Sequence, residues 1–318
     1  MKKILVTGTI AYDVLLRYGR SFADAFKGAD LEKLSVSFFS EGFARHHGGT
    51  GANIAWHLRL LGQMPLLVGA VGHDGGEYLQ MMESRGIPVG GIHTSPKHVT
   101  ATAIIGTDDG DRQIAFFHPG ADAADTWRAP EEGVEDIALA IVGARNPLVM
   151  MDAVRWCKQA GIPLFFDPGQ LVLGLSKEDL LQAIDGATGV FANTYEWELI
   201  AEKTGLTVET LLQKTGFLVV TEGGDGLTIH TAGKTTHVPA CPVENVVNPT
   251  GAGDALRAGF LAGLASGWEL VNCGRLGAVM GALAVAQEGT LLDTLDVEEA
   301  FGRAREIYGE DLPSLGEG

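Results

Sequence analysis

Five short apolar runs, residues 3–7, 66–71, 137–142, 163–166 and 189–192, are separated by stretches patterned as helices. No other feature limits the fold of this chain so strongly. A strand that is apolar on both faces must be covered on both faces, and such strands alternating with helices build a parallel sheet with helices on either side. Residues 51–61 carry Ile54, Ala55, Leu58 and Leu61 at the spacing of one helix face. Residues 77–84, 148–159 and 177–184 read as helices too, the first ending at a Gly86-Ile87-Pro88 break. The expected fold class is α/β: three layers, α/β/α, around a mainly parallel central sheet. A chain of 318 residues suits one large domain or two modest ones. No repeat, low-complexity linker or charge run marks a boundary, so a single domain over 1–318 is expected.

Two segments break the rhythm. Within 15–43, Leu34, Val36 and Phe38 alternate with Ser35 and Ser37. Within 100–117, β-branched residues lead into Asp108-Asp109-Gly110-Asp111 and then 113–117, as two strands joined by a tight acidic turn would. Alternation points to strands with one wetted face. Together the segments, about 14–46 and 97–119, are expected to form a small antiparallel β-sheet lid over the mouth of the main sheet; plain surface hairpins are the alternative.

Composition narrows the function. A formal charge of −17 repels a phosphate backbone, so no nucleic-acid partner is expected. Cys157, Cys241 and Cys273 fit no zinc or CxxC spacing and read as reduced thiols of a cytoplasmic protein. Met1-Lys2-Lys3 before an apolar run imitates a signal peptide, but Thr7, Gly8 and Thr9 interrupt it at once and Asp13 follows. The stretch 276–286 is about half the ~20 residues a bilayer needs, so no membrane partner is expected. His46-His47 suggests a metal, yet neighbours on an extended segment point to opposite sides and no third ligand is near.

The sharpest chemical signal is residues 248–260, Asn-Pro-Thr-Gly-Ala-Gly-Asp-Ala-Leu-Arg-Ala-Gly-Phe. Small residues Gly251, Ala252 and Gly253 let backbone N–H groups converge where a helix begins, a site suited to a phosphate or a developing anion. Asp254 lies in that first turn, as a catalytic carboxylate or as a mere cap. A second cluster, Gly48-Gly49-Thr50-Gly51-Ala52-Asn53, also precedes a helix but lacks the Lys-Ser/Thr of a P-loop. The first strand is followed by Gly8-Thr9-Ile10-Ala11, which excludes a dinucleotide fingerprint.

These motifs resemble the ribokinase-like (PfkB) family of sugar and nucleoside kinases. Residues 248–260 match its C-terminal signature, with Asn248-Pro249 in place of Asp-Thr. Gly48-Gly49, Asn53, Leu61-Gly62 and Val71-Gly72, with Asp74 after them, match its N-terminal signature. Asn193-Thr194-Tyr195-Glu196 fits its Asn-x-x-Glu element, which is also a helix-capping pattern. Residues 221–226 resemble its nucleotide-binding turn. Residues 7–13, 35–38, 113–121 and 195–197 resemble the bacterial adenosine-kinase subgroup.

The resemblance implies a ribokinase-like fold and an ATP-dependent phosphotransferase acting on an alcohol group, with Mg²⁺ as companion and K⁺ activation left open. It implies a catalytic set of Asp254 with Gly251, Ala252 and Gly253. It implies a substrate site of Thr9, Asp13, Ser37, Gly49, Asn53, Phe117 and Gln170, in which Asp13 and Asn53 hold ribose hydroxyls and Phe117 covers the base. Phe116 and Phe117 pinning the lid to the core is the competing account. Asn193, Glu196, Thr221, Gly223 and Gly226 would bind nucleotide, with Glu196 acting on Mg²⁺ through water. The expected activity is phosphorylation of a nucleoside 5′-hydroxyl, adenosine first. The alternatives are a ribose- or fructose-type sugar kinase and a silent nucleoside or sugar sensor, against which the retained Asp254 argues. A monomer and a homodimer through the lid both remain open.

Overall fold

The computed structural model describes residues 2–27, 35–110, 112–131 and 133–316. The chain opens with β1 (Lys3–Thr7), then β2 (Ala11–Arg17), α1 (Phe22–Phe26) and β3 (Gly42–Gly48). Helix α2 (Thr50–Leu60), β4 (Pro65–Gly72), α3 (Gly76–Ser84) and β5 (Ile92–Ser95) follow. Next come β6 (Ala101–Thr107), β7 (Gln113–His118), α4 (Gly120–Ala123), β8 (Ile137–Val142) and α5 (Pro147–Ala160). The second half continues with β9 (Leu164–Phe166), α6 (Lys177–Ile184), β10 (Gly189–Asn193), α7 (Thr194–Thr204) and α8 (Val208–Leu211). It closes with β11 (Phe217–Thr221), β12 (Leu227–Thr231), β13 (Lys234–Val238), α9 (Ala252–Ala265), α10 (Leu270–Val285) and α11 (Val297–Tyr308).

Among the described residues the main sheet runs β13-β12-β11-β10-β9-β8-β1-β4-β5. It is parallel from β11 to β5, and β12 and β13 form an antiparallel margin. Alternate side chains of one strand enter opposite cores, as the two-residue period requires. Ile4 and Val6 join the core that includes α2, α9 and α10, whereas Leu5 joins that of α5, α6 and α7. The chain leaves β1 toward β4 and β5, then returns to β8 on the other side. In open α/β sheets ligands gather at the carboxyl ends of the strands beside such a reversal.

The lid is a second sheet, ordered β3-β2-β6-β7. Its middle pair, β2 and β6, is parallel, which corrects the expectation of an antiparallel lid. Both strands leave the core in the same direction, after β1 and after β5, and each returns by its own antiparallel partner. The alternating residues 35–38 form no strand; Leu34 lies outside the described residues. Phe38 instead meets Tyr18, Phe22 and Phe26 at ring-centroid distances of 5.0, 5.0 and 5.9 Å. An aromatic knot rather than a ladder satisfies that stretch. The acidic turn after β6 forms as the sequence suggests: the Asp108 carboxylate accepts from the Gly110, Arg112 and Phe22 amides. Asp111 lies outside the described residues.

Two devices fix the lid and the last helices to the core. Arg145, fully buried, donates through Nε to Asp122 and through Nη1 to Thr7 Oγ1 and Val68 O, which ties the lid's exit at α4 to the end of β1 and the middle of β4. Helices α9 and α10 approach so closely that a Cβ on Gly259 would lie 2.9 Å from Leu276 O. This contact sets where the first turn of α9 sits. No described helix is long and apolar enough to cross a membrane, and the three cysteines are buried and unbridged.

Candidate active site

The first turn of α9 faces the first turn of α2. Gly251 is the residue before α9 and holds φ +85°, a conformation that favours glycine. A Cβ there would also strike Thr290 at 2.8 Å. The amides of Ala252, Gly253 and Asp254 have no partner four residues back within the helix. That of Ala252 reaches Pro249 O at 3.4 Å. Asn248, at the departure from the family signature, shapes the approach: its Oδ1 accepts from the Thr250 amide at 3.0 Å.

Asp254 Oδ2 accepts from Asn53 Nδ2 at 2.7 Å. Burial pushes the Asp254 carboxyl up to about 7. The Asn53 hydrogen bond and Arg257 oppose that rise, and Asp167 and Asp13 add to it. A carboxyl balanced near neutrality, beside a helix N-terminus, is suited to taking a proton from a hydroxyl while the amides receive negative charge.

Around this carboxyl lies a buried ion pair that sequence reading missed. Arg257 donates to Asp167 through Nε at 2.7 Å and Nη2 at 3.2 Å, and through Nη1 to Gly253 O at 3.2 Å. The two residues are 6% and 3% exposed. Their signals were present but mute alone: an Arg amid Ala, Leu, Gly and Phe in a core helix, and an Asp at the end of an apolar strand.

Asp13 lies on β2 with its carboxyl raised to about 6, mainly by burial and opposed by His46. Register makes His46, Asp13, Ala103 and Phe117 successive neighbours across the lid, so all four share one face. A cleft below that face is lined by Asp13, Leu15, His46 and Ile105 of the lid and Asn248, Thr250, Gly289 and Thr290 of the core. Phe116 and Phe117 are 69% and 56% exposed, so neither ring pins the lid to the core.

The remaining candidates divide. Gly49 precedes α2 with φ +93°, and a Cβ there would meet Thr9 O and the Ala11 amide at 2.6 Å. Thr9 turns its hydroxyl to Ala144 O at 3.1 Å, and its carbonyl receives the Gly51 amide. Ser37 and Gln170 are exposed, the latter in a short helix (Gly169–Leu173) after β9. Asn193 and Thr221 are register partners at the ends of β10 and β11, with Gly223 and Gly226 in the turn beyond. Asn193 and Glu196 complete a capping box: each backbone amide donates to the other's side chain at 2.8 Å. Burial, then Asp167, raises the Glu196 carboxyl. Among the described residues no group of three or more His, Cys, Asp or Glu could hold a metal ion. Glu196 is an acidic side chain at this end of the sheet, an oxygen donor of the kind a hard cation takes directly or through water.

A sequence model described as the pfkB family carbohydrate kinase matches residues 1–296. The chain belongs to the pfkB family. Among its relatives is a nucleoside kinase of Methanothermobacter thermautotrophicus, 31% identical over 275 residues, which cover 84% of this chain and 87% of that protein. A ribokinase of Lactococcus lactis is 27% identical over 319 residues, covering 96% and 98%. Among solved structures, the Burkholderia thailandensis nucleoside kinase in complex with inosine superposes with a TM-score of 0.85 at 32% identity, covering 97% of this chain and 99% of that one. The same kinase in complex with ADP-inosine also gives 0.85. Membership makes the protein an ATP-dependent kinase of a small-molecule hydroxyl, with a nucleoside or a sugar as acceptor, on a ribokinase fold. In this pfkB chain the family's two glycine motifs are the turns that open α2 and α9 against each other.

Proposed function

We propose that this pfkB-family kinase transfers the γ-phosphoryl group of ATP to the 5′-hydroxyl of a nucleoside, adenosine foremost, with Asp254 as general base. The observation that carries this reading is the lid row of Asp13, Ala103 and Phe117. Two strand spacings separate Asp13 from Phe117, about 10 Å between backbones. A carboxylate that can accept from two vicinal ribose hydroxyls and an exposed aromatic face for a base thus lie side by side, at nucleoside scale. Relatives named as nucleoside kinases, one solved with inosine, support the same choice.

Asp254 takes the proton of the attacking hydroxyl, and the α9 amides take up charge on the transferring group. Phosphoryl transfer asks the protein chiefly for alignment, charge stabilisation and a dry site. The lid over the cleft supplies the last by excluding water. Nucleotide lies along Asn193, Thr221, Gly223 and Gly226, at the ends of β10 and β11. Glu196, whose Oε2 serves the capping box, would hold Mg²⁺ bound with ATP through water on its other oxygen, and the ion would supply neutralisation of phosphate charge. The lid's other face carries Phe43 and Phe116, 72% and 69% exposed, on its two edge strands β3 and β7, and a homodimer through the lid would cover both.

Phe117→Ala tests the substrate assignment. Base–aromatic stacking contributes about 1–3 kcal/mol per base, so adenosine is expected to lose roughly 5–150-fold in kcat/KM, while any turnover of ribose stays within about twofold. Equal losses on both would remove Phe117 from base recognition and favour the sugar-kinase reading.

A further inference from the structure

Asn53, 3% exposed in the first turn of α2, has two different partners. Its Nδ2 donates to Asp254 Oδ2 at 2.7 Å, and its Oδ1 accepts from Thr290 Oγ1 at 3.0 Å. Asn53 and Thr290 are 237 positions apart, so nothing local brings them together. An amide side chain has almost the same shape with O and N exchanged, and its partners decide which end points where. An ionised carboxylate only accepts, so it requires the NH₂ end. The carbonyl end then needs a donor, and Thr290 supplies it. The single hydroxyl hydrogen also has His47 O within 3.0 Å. Negative charge on Asp254 polarises the Asn53 amide and makes its oxygen the stronger acceptor, which draws that hydrogen to Asn53.

The position of Thr290 is itself fixed. Its Cβ packs against Gly251, where any side chain would collide with it. One residue therefore touches the turn that opens α9, the amide that holds Asp254 and, through His47, the lid strand β3.

We propose that Thr290 is a positioning residue for the base: its hydroxyl locks the Asn53 amide with Nδ2 toward Asp254, which occupies Oδ2 and leaves Oδ1 to take the substrate proton. This rests on the reading of Asp254 as general base. It also gives Asn53 a task that the ribose-holding expectation does not include. The charged and titratable groups around Asp254 come from every neighbouring element: Asp13 on β2, with His46 beside it, Asp167 after β9, Arg257 on α9 and the Tyr78 phenol on α3. The Tyr78 hydroxyl donates to Gly48 O at 2.6 Å and stays neutral. Of the influences on Asp254, the Asn53 hydrogen bond is the one that Thr290 controls. Without it the carboxyl rises further, so the low-pH fall of kcat moves to higher pH.

The test is steady-state turnover of the full-length enzyme with ATP and adenosine, or ribose if that is the acceptor used, from pH 5.5 to 9. Thr290→Val keeps the branched shape and removes the hydroxyl. It is expected to lower kcat at pH 7 about tenfold, move the acidic limb up by roughly half a unit or more, and leave KM for ATP within about twofold. Thr290→Ser keeps the hydroxyl and is expected to restore most of kcat and the wild-type limb. In an Asn53→Ala background, Thr290→Val should cost nothing further, because the effect travels through Asn53. If the valine variant does not fold, Thr290→Ala is read by the same criteria. A hydroxyl-less variant with normal kcat and an unmoved limb overturns the proposal, even if it melts earlier. Full additivity with Asn53→Ala overturns it as well. Asp254→Asn separates the two levels: near-normal turnover in that variant removes the base itself, whereas an inactive Asp254→Asn beside a fully active Thr290→Val removes only the role of Thr290.

Discussion

Asp254→Asn is expected to lower kcat by about 10²–10⁴-fold, the usual contribution of a general base. The amide keeps the size and much of the hydrogen bonding of the carboxyl but cannot take a proton. ATP and acceptor Kd should stay nearly unchanged, because nothing they bind in the ground state is removed. The pH profile adds a second check. The Asp254 carboxyl is raised to about 7 by burial, so the competent ionised form is lost as pH falls through that value. Wild-type kcat/KM, which reports the free enzyme, should accordingly rise through pH 7 to a plateau, and this limb should be absent from the residual activity of the variant. Stability supplies the control. A carboxyl whose folded pKa exceeds its unfolded value favours the fold below the unfolded value, and that advantage is lost as pH rises through about 7. At pH 8 the native state carries an ionised group in a dry place, and the asparagine variant should be at least as stable as the wild type. Near-normal kcat in a folded Asp254→Asn enzyme would leave Asp254 as a helix-turn decoration.

The second large effect is expected at Arg257. Its guanidinium is buried against Asp167 and held further by Gly253 O. Arg257→Met preserves much of the volume but strands the Asp167 carboxylate, with Glu196 and Asp254 nearby and no cation among them. Breaking one side of a buried pair costs about 3–5 kcal/mol. Removing both charges is far milder, so Arg257→Met combined with Asp167→Leu should recover most of the loss. Denaturation midpoints of the two single variants and the double variant measure this directly. Single variants that each lose less than about 1 kcal/mol, or a double variant that sums the single losses, would contradict the account.

The sequence shows most of the parallel sheet because β1, β4, β8, β9 and β10 are apolar on both faces. Such runs have few options besides a covered strand. The lid was legible where β-branched residues flank the Asp108 turn, and misleading at 35–38. There, alternation of apolar and polar residues satisfied a strand pattern, while Phe38 had aromatic partners on α1 that no local rule could supply. The site divides in the same way. Gly251–Gly253 and Asp254 are contiguous and open an apolar helix, so the chain order itself exposes them. Asp167 and Thr290 are single residues from distant segments, and only the fold brings them to Arg257 and Asn53; Arg257 lies one helical turn beyond Asp254, but its partner is 90 positions away. Asn193 and Glu196 show the limit of spacing arguments, since one Asn-x-x-Glu serves a capping box and a nucleotide site alike.

The most direct measurement is ATP consumption by the purified chain over a panel of adenosine, inosine, other nucleosides, ribose and fructose, with the phosphorylated product identified. The account predicts turnover fastest with a purine nucleoside, adenosine foremost, a 5′-monophosphate as product, and kcat/KM for it at least about tenfold above that for either sugar. Faster turnover of ribose or fructose, or binding of nucleosides with no ATP consumed, would contradict it.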